Sequence, residues 1–212
     1  MGGSVSASPL AIVHLDESCL GNGQDGHTPG GAAGLVEVRV GDRIERRDCT
    51  VAEPDTTNNR MALAGAELVL RLMAGKGRRL QVLIVSDSEY LVRGIREWVP
   101  GWIQRGWRRK AGAIENLARW QSLVDAAALH DVTFTWVRGH AGHPKNEYAN
   151  DLAVQAARTQ RTSDGLVPSG FEAWLAAHRA AGRYLDYDAA GAFAMLERRI
   201  MAGEVLAIDA GA

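Results

Sequence analysis

Cysteine is nearly absent from the chain, with only Cys19 and Cys49 among 212 residues, so neither a disulfide framework nor a structural zinc site built on cysteine pairs is available. His14, His27, His130, His143 and His178 lack zinc-ligand spacing and read as ordinary histidines. Long apolar runs are missing as well: the longest are strand-length and broken by charges, far short of the roughly 20 residues a bilayer span needs. The first residues, MGGSVSASPL, lack the charged-then-apolar build of an export signal, which predicts a soluble, cytoplasmic protein with no membrane partner. Charge of one sign is lacking too. Lys and Arg number 24 against 25 Asp and Glu, a net charge of −1, so any affinity for a polyanion must come from a local patch.

A hydrophobic content of 46% with 23% charged residues suits a single substantial core. Leu10–Leu15 is a short β-branched run ending at Asp16, and Gly34–Val40 alternates Leu, Val and Val with Glu and Arg; both read as strands. Between them GNGQDGHTPGG reads as a turn-rich loop without core residues. Ile44–Val51 forms a hairpin with the second strand through Gly41-Asp42. Asn58–Ala74 has helix-forming composition after the capping run Asp55-Thr56-Thr57, and glycines at 75 and 77 stop it. Leu80–Val85 is a continuous apolar strand that delivers a second aspartate, Asp87, just past its end.

A mixed helical and basic stretch follows to Lys110, then an amphipathic helix carrying Ile114, Leu117, Trp120, Leu123 and Val124. Val132–Val137 is an alternating strand, and a loop from Arg138 to Pro144 leads into a helix from about Lys145 to Ala157. The segment 159–168 is polar and reads as a linker. Two short helical patterns lie around Phe171–Ala180 and Asp188–Met201. The expectation is an α/β core over 1–158, with a five-stranded mixed sheet flanked by helices, and a helical C-terminal extension over 169–212. Trp174, Leu175, Phe193, Leu196 and Ile200 give that extension enough apolar surface to pack on the core.

Asp16 and Asp87 each end a strand, and His140 and Asn150 fall on the last loop and helix, so oxygen ligands suited to hard divalent cations converge on one sheet edge. Taken together, LDESCLGN, TTNNRM, VSDSEY, GWIQRGWR and WVRGHAGHPKNEYANDLA, in this order over about 10–158, resemble type 1 ribonuclease H. The resemblance implies the ribonuclease H fold, two Mg²⁺ ions (Mn²⁺ as an alternative) at the scissile phosphate, and hydrolysis of the RNA strand of RNA–DNA hybrids to 5′-phosphate and 3′-hydroxyl ends. It implies Asp16, Asp87 and Asn150 as metal ligands and His140 as the loop histidine that assists proton movement or product release. It implies hybrid contacts from Cys19, Asn22, Thr57, Asn58 and Asn59, and a basic protrusion formed by Trp102, Arg105, Trp107, Arg108, Arg109 and Lys110. For Trp98 and Trp120 packing is the reading; a monomer is expected.

Two positions depart from the family pattern. The glutamate that follows Asn-Asn-Arg-Met is Ala62 here, and the aspartate on the last helix is Asn150. Glu67 lies roughly 140° around the helix from position 62 and does not replace the missing side chain. Glu17 follows Asp16 where the family has glycine; on a regular strand it faces away from Asp16 and reads as a solvated carboxylate. Glu89 is a further acidic addition near Asp87. The losses leave two functions open: an endonuclease of altered activity, or a hybrid-binding module that no longer cuts. Restoring Glu at position 62 separates them, since a large gain in cleavage marks an enzyme disabled there.

Overall fold

The structure is a computed structural model that describes residues 8–21, 28–75, 77–139 and 142–204. Strands β1 (Leu10–Cys19), β2 (Gly30–Val40), β3 (Arg43–Glu53), β4 (Gln81–Ser86), β5 (Asp131–Trp136) and β6 (Val167–Pro168) form one mixed sheet in the order β5-β4-β1-β2-β3-β6. The consecutive hairpins β1-β2-β3 are antiparallel, whereas β4 and β5, reached through helical crossovers, run parallel to β1. The sheet has six strands rather than five. The sixth strand is the two-residue β6, whose Val167 and Pro168 pair antiparallel with β3. The segment read as a linker is therefore laid along β3, with Thr162 and Ser163 hydroxyls accepting from the Ala52 and Thr50 amides.

The period-2 alternation of β1 divides its side chains between two cores. Ala11, Val13 and Leu15 face α1 (Asn58–Ala74) and α4 (Leu117–Ala127), where Leu63, Leu70, Trp120 and Leu123 are fully enclosed. Thr57 caps α1, accepting from the Arg60 amide at 3.3 Å. The crossover between β4 and α4 runs through α2 (Glu89–Arg93), a π-helical turn (Gly94–Trp98) and α3 (Val99–Gln104). Gly94 passes so close to the Trp120 ring that a Cβ there would lie 2.2 Å from it, so the helix can approach this closely only without a side chain.

Leu10 and Ile12 face the other way. There α5 (Pro144–Thr159), α6 (Phe171–Ala180) and α7 (Ala189–Met201) cover the sheet. Phe193 and Ile200 of α7 pack with Leu10, Ile12, Leu83 and Val85. Phe171 and Leu175 of α6 pack with Leu35 and Tyr148. The C-terminal helices thus bury sheet surface rather than stand apart from it. Among the described residues no helix is long and apolar enough to cross a membrane.

Beneath α5 lies a buried charged cluster. Glu37 is fully enclosed, accepting from Lys145 Nζ at 2.7 Å and Arg46 Nε at 2.9 Å, with His14 Nε2 3.4 Å away. Burial alone would raise the Glu37 carboxyl, but His14 and Lys145 outweigh it and hold Glu37 down to about 2. Lys145 also donates to the Ala189 carbonyl, tying the first turn of α5 to the start of α7.

Candidate active site

Strand register places the two aspartates side by side. Leu15 of β1 pairs with Ser86 of β4, so the next residue on each strand is Asp16 and Asp87, at the carboxyl end of a parallel pair. Beyond Ser86 the chain turns away into α2, leaving the last residues of β1 paired only with β2. Asp87 is fixed from β5, where Trp136 Nε1 donates to its carbonyl at 2.9 Å. Gly139 lies against it so tightly that a Cβ would fall 2.2 Å from Oδ2.

Asp16 belongs to the α5 side of the sheet. It is buried, with Oδ2 accepting from Asn146 Nδ2 at 2.6 Å and Oδ1 accepting from the Glu17 amide at 2.7 Å. Asn146 is a site residue that the sequence reading did not single out. It sits one helical turn before Asn150, so both amides lie on one face of α5. The i−4 spacing within PKNEYAN was the available signal.

Glu17 is the main correction. Alternation assigns position 17 to the face of Leu15, whose core cluster includes Ala62 of α1. Instead of being fully solvated, Glu17 is half-buried, and its enclosed Oε2 has no hydrogen-bond partner among the described residues. Asp16, Glu17 and Asp87 each bring an oxygen within 4.8 Å of the others, a spacing that could hold a metal ion. Ala62, where the family pattern has glutamate, is fully enclosed. The third carboxylate thus reaches the site from β1 instead of α1.

The three carboxylates raise one another's proton affinity. Burial first, then the Asp87 charge and then Glu17, push the Asp16 carboxyl up to about 8. Burial and the Asp87 charge likewise push Glu17 to about 8, against a lowering hydrogen bond from Ser88. Two unit charges 4.8 Å apart repel by roughly 3.5 kcal/mol at an effective dielectric of about 20. A divalent cation would convert that repulsion into attraction, and an all-oxygen donor set suits a hard ion.

The other acidic candidates are engaged elsewhere. Glu67 bonds Arg71 at 2.9 Å and Ser122 at 2.5 Å, Glu89 is exposed and pairs with Arg93, and Asp151 accepts from Trp174 Nε1 at 2.8 Å. Asn22 and His140 lie outside the described residues. Cys19, at the end of β1, is half-buried. Thr57 and Asn58 are exposed at the start of α1, with Asn59 half-buried beside them. Arg105, Arg108, Arg109 and Lys110 are exposed, whereas Trp102 and Trp107 are half-buried against the core. Trp102 packs edge-on to Trp120, 5.9 Å between ring centres, so its main contacts are internal.

Comparison with known proteins bears on this arrangement. The family described as RNase H matches residues 9–158. A ribonuclease H of Pelobacter propionicus is 40% identical over 159 residues, covering 74% of this chain and 90% of that protein. One from Roseobacter denitrificans is 39% identical over 147 residues, covering 68% and 93%. The crystal structure of LC9-RNase H1, described as a type 1 RNase H with the type 2 active-site motif, superposes with a TM-score of 0.75. The two are 54% identical, and the match covers 81% of this chain and 82% of that one.

Proposed function

Because the chain belongs to the ribonuclease H family, we propose that it is an endonuclease that hydrolyses the RNA strand of RNA–DNA hybrids with a divalent cation, Mg²⁺ or alternatively Mn²⁺, leaving 5′-phosphate and 3′-hydroxyl ends. The observation that carries this reading is the gathering of Glu17 with Asp16 and Asp87, which supplies the carboxylate that Ala62 does not. It favours the endonuclease over the binding module, since a chain kept only for binding has no use for three crowded, mutually repelling carboxylates, one buried and two half-buried.

In this reading Asp16, Glu17 and Asp87 hold the cation, with the Asn150 amide as a neutral fourth ligand and His140 as the loop group that moves protons. The chemistry a divalent cation would supply at these residues is Lewis-acid polarisation of the phosphoryl oxygen and activation of water as the nucleophile. Asn146 orients Asp16, and Trp136 and Gly139 fix Asp87. Cys19, Asn22, Thr57, Asn58 and Asn59 meet the hybrid's minor groove and adjoining phosphates, where amides can read 2′-hydroxyls. Arg105, Arg108, Arg109 and Lys110 supply salt-dependent contacts to the DNA strand, with Trp102 and Trp107 shaping the support beneath them. The protein acts as a cytoplasmic monomer.

Cleavage of an end-labelled RNA–DNA hybrid with Mg²⁺ or Mn²⁺, set against binding of the same hybrid in EDTA, tests the proposal. Metal-dependent cutting confined to the RNA strand is the expected result. Binding without cutting in either metal would overturn it in favour of the binding module.

A further inference from the structure

Helix α5 carries Asn146 and Asn150 on one face, and its two other neighbours, the sheet and the C-terminal extension, hold it in different ways. Beyond Tyr148 every buried residue of α5 is an alanine: Ala149, Ala153, Ala156 and Ala157. They meet β2 at Gly31, where a Cβ would lie 2.4 Å from the Ala153 carbonyl and 3.0 Å from the Ala156 methyl. Surfaces of this kind approach closely but interlock little. Side chains of one methyl group give neither ridge nor groove to resist a small roll of the helix.

The contacts that do key α5 come from the extension. Lys145 Nζ donates to the Ala189 carbonyl at 3.1 Å. Glu147 accepts from Arg183 Nη2 at 2.8 Å and from the Tyr184 hydroxyl. Tyr148 stands edge-on to Phe171, 5.4 Å between ring centres, and its hydroxyl accepts from the Gly170 amide at 2.9 Å. Asp151 accepts from Trp174 Nε1 at 2.8 Å. The extension thus holds the first two turns of α5 at four positions, and all of its contributing residues lie between 170 and 189.

Asn146 sits among these anchors, next in sequence to both Lys145 and Glu147. Its Nδ2 donates to Asp16 Oδ2 at 2.6 Å, while its enclosed Oδ1 has no hydrogen-bond partner among the described residues. With no second bond to steady the amide, its position follows that of the helix backbone. A roll of about 10° moves a side-chain tip about 6 Å from the helix axis by about 1 Å. Misplacement of that size at a reacting centre can cost about 100-fold in rate.

We propose that the C-terminal extension is a positioning element for the cation site: by gripping Glu147, Tyr148 and Asp151 it fixes the roll of α5, and through Asn146 it fixes the orientation of Asp16. This rests on the reading of Asp16, Glu17 and Asp87 as the residues that hold the cation. Trp174 and Tyr184 are then positioning residues that act through α5 and touch neither cation nor substrate. The role is separate from burial of the sheet, which belongs to Phe171, Leu175, Phe193 and Ile200.

The test combines Trp174→Phe with Tyr184→Phe, which removes two donors to α5 and keeps both rings. Parent, this pair, Asn146→Ala and the triple variant are compared at a temperature where circular dichroism shows all four folded. Two quantities are read: Mn²⁺ affinity of the full chain by calorimetric titration without substrate, and kcat and KM for hybrid cleavage. The pair should weaken Mn²⁺ binding about tenfold and lower kcat about as much, with KM unchanged, the lower end of what loss of a partner behind a metal ligand costs. In the Asn146→Ala background the same pair should change either quantity by less than about twofold, because effects routed through one residue do not add. Parent-like Mn²⁺ affinity and kcat in the pair overturn the proposal. So does an undiminished loss in the Asn146→Ala background, which would make the extension a general stabiliser. A parent chain that shows the Mn²⁺ coupling but cuts no hybrid sinks the endonuclease reading alone, whereas one that binds no Mn²⁺ overturns the cation site and this inference together.

Discussion

Replacing Phe193 by Ala tests whether the C-terminal extension is part of the cooperative core. Phe193 is fully enclosed among Leu10, Ile12, Leu83, Val85 and Ile200, residues that belong to β1, β4 and α7. Its ring also lies 5.3 Å beneath the Arg39 guanidinium, which is held by Glu197 at 2.6 Å. Truncating a buried phenylalanine to alanine removes about 3–5 kcal/mol through lost transfer free energy and the cavity left behind. Against a total stability of roughly 5–15 kcal/mol this is a large fraction. At about 2–4 °C per kcal/mol for a chain of this size, the melting temperature should fall by roughly 6–20 °C. Thermal unfolding followed by far-ultraviolet circular dichroism and by tryptophan fluorescence should show one coincident, shifted transition. Leu185→Ala, at a residue 65% exposed, should stay within about 0.5 kcal/mol of the parent. A shift below 2 °C on the scale above, or an early transition affecting one probe alone, would refute a shared core and make the extension a separate unit.

Three further outcomes follow from the charges. Glu37 is held at about 2 against an ordinary 4.5, so its contribution is fully present above 4.5 and is lost as pH falls from 4.5 towards 2; at about 1.36 kcal/mol per pH unit that is about 3 kcal/mol. Glu37→Gln should flatten the acid limb of a stability-versus-pH curve, and an unchanged limb would contradict the assignment. The metal-free carboxylate cluster acts in the opposite sense: with Asp16 and Glu17 raised to about 8, stability should decline between about pH 4 and 8. Glu17→Gln should then raise the melting temperature in EDTA at pH 8, and a lower value would show that Glu17 is a structural ion pair. Asn146→Ala should reduce hybrid cleavage by about 10–100-fold, as loss of a partner behind a metal ligand does, with hybrid binding in EDTA retained. Equal loss of binding would instead place Asn146 on the substrate.

Most of the fold is legible in the sequence because its strands and helices agree with their hydrophobic period. The expected helix 58–74 and its Thr57 cap coincide with the structure, since composition, capping and a glycine stop all point to one answer. β2 begins earlier than its apolar pattern suggests because Gly30 and Gly31 carry no hydrophobic signal. A Cβ on Gly31 would lie 2.4 Å from the Ala153 carbonyl, so the loop reading misses a place where α5 rests on the backbone itself. The short β6 is invisible for a different reason: pairing with β3 places it, not its own composition.

The site is legible in part. Asp16 and Asp87 follow from strand ends and lie in one cluster; Asn150, which the family pattern implies, is placed only on the face of α5 that carries Asn146. Glu17 was misread because strand alternation gives a direction but not what covers that face. At the end of β1, where β4 has already turned away, a Glu17 oxygen comes within 4.8 Å of oxygens of Asp16 and Asp87. An extra carboxylate beside a lost one was the signal, and it is a tertiary one.

The central claim is that Glu17 stands in for the missing glutamate. Steady-state cleavage of an RNA–DNA hybrid in Mg²⁺ by the parent, Glu17→Gln and Ala62→Glu tests it most directly. The account predicts a loss beyond about 100-fold for Glu17→Gln, larger than that of a supporting residue. For Ala62→Glu, at a fully enclosed position, it predicts no gain in cleavage and a stability loss of at least about 1–3 kcal/mol from overpacking. Retained activity in Glu17→Gln together with a large gain in Ala62→Glu would contradict it, marking a nuclease disabled at position 62 with Glu17 as a bystander.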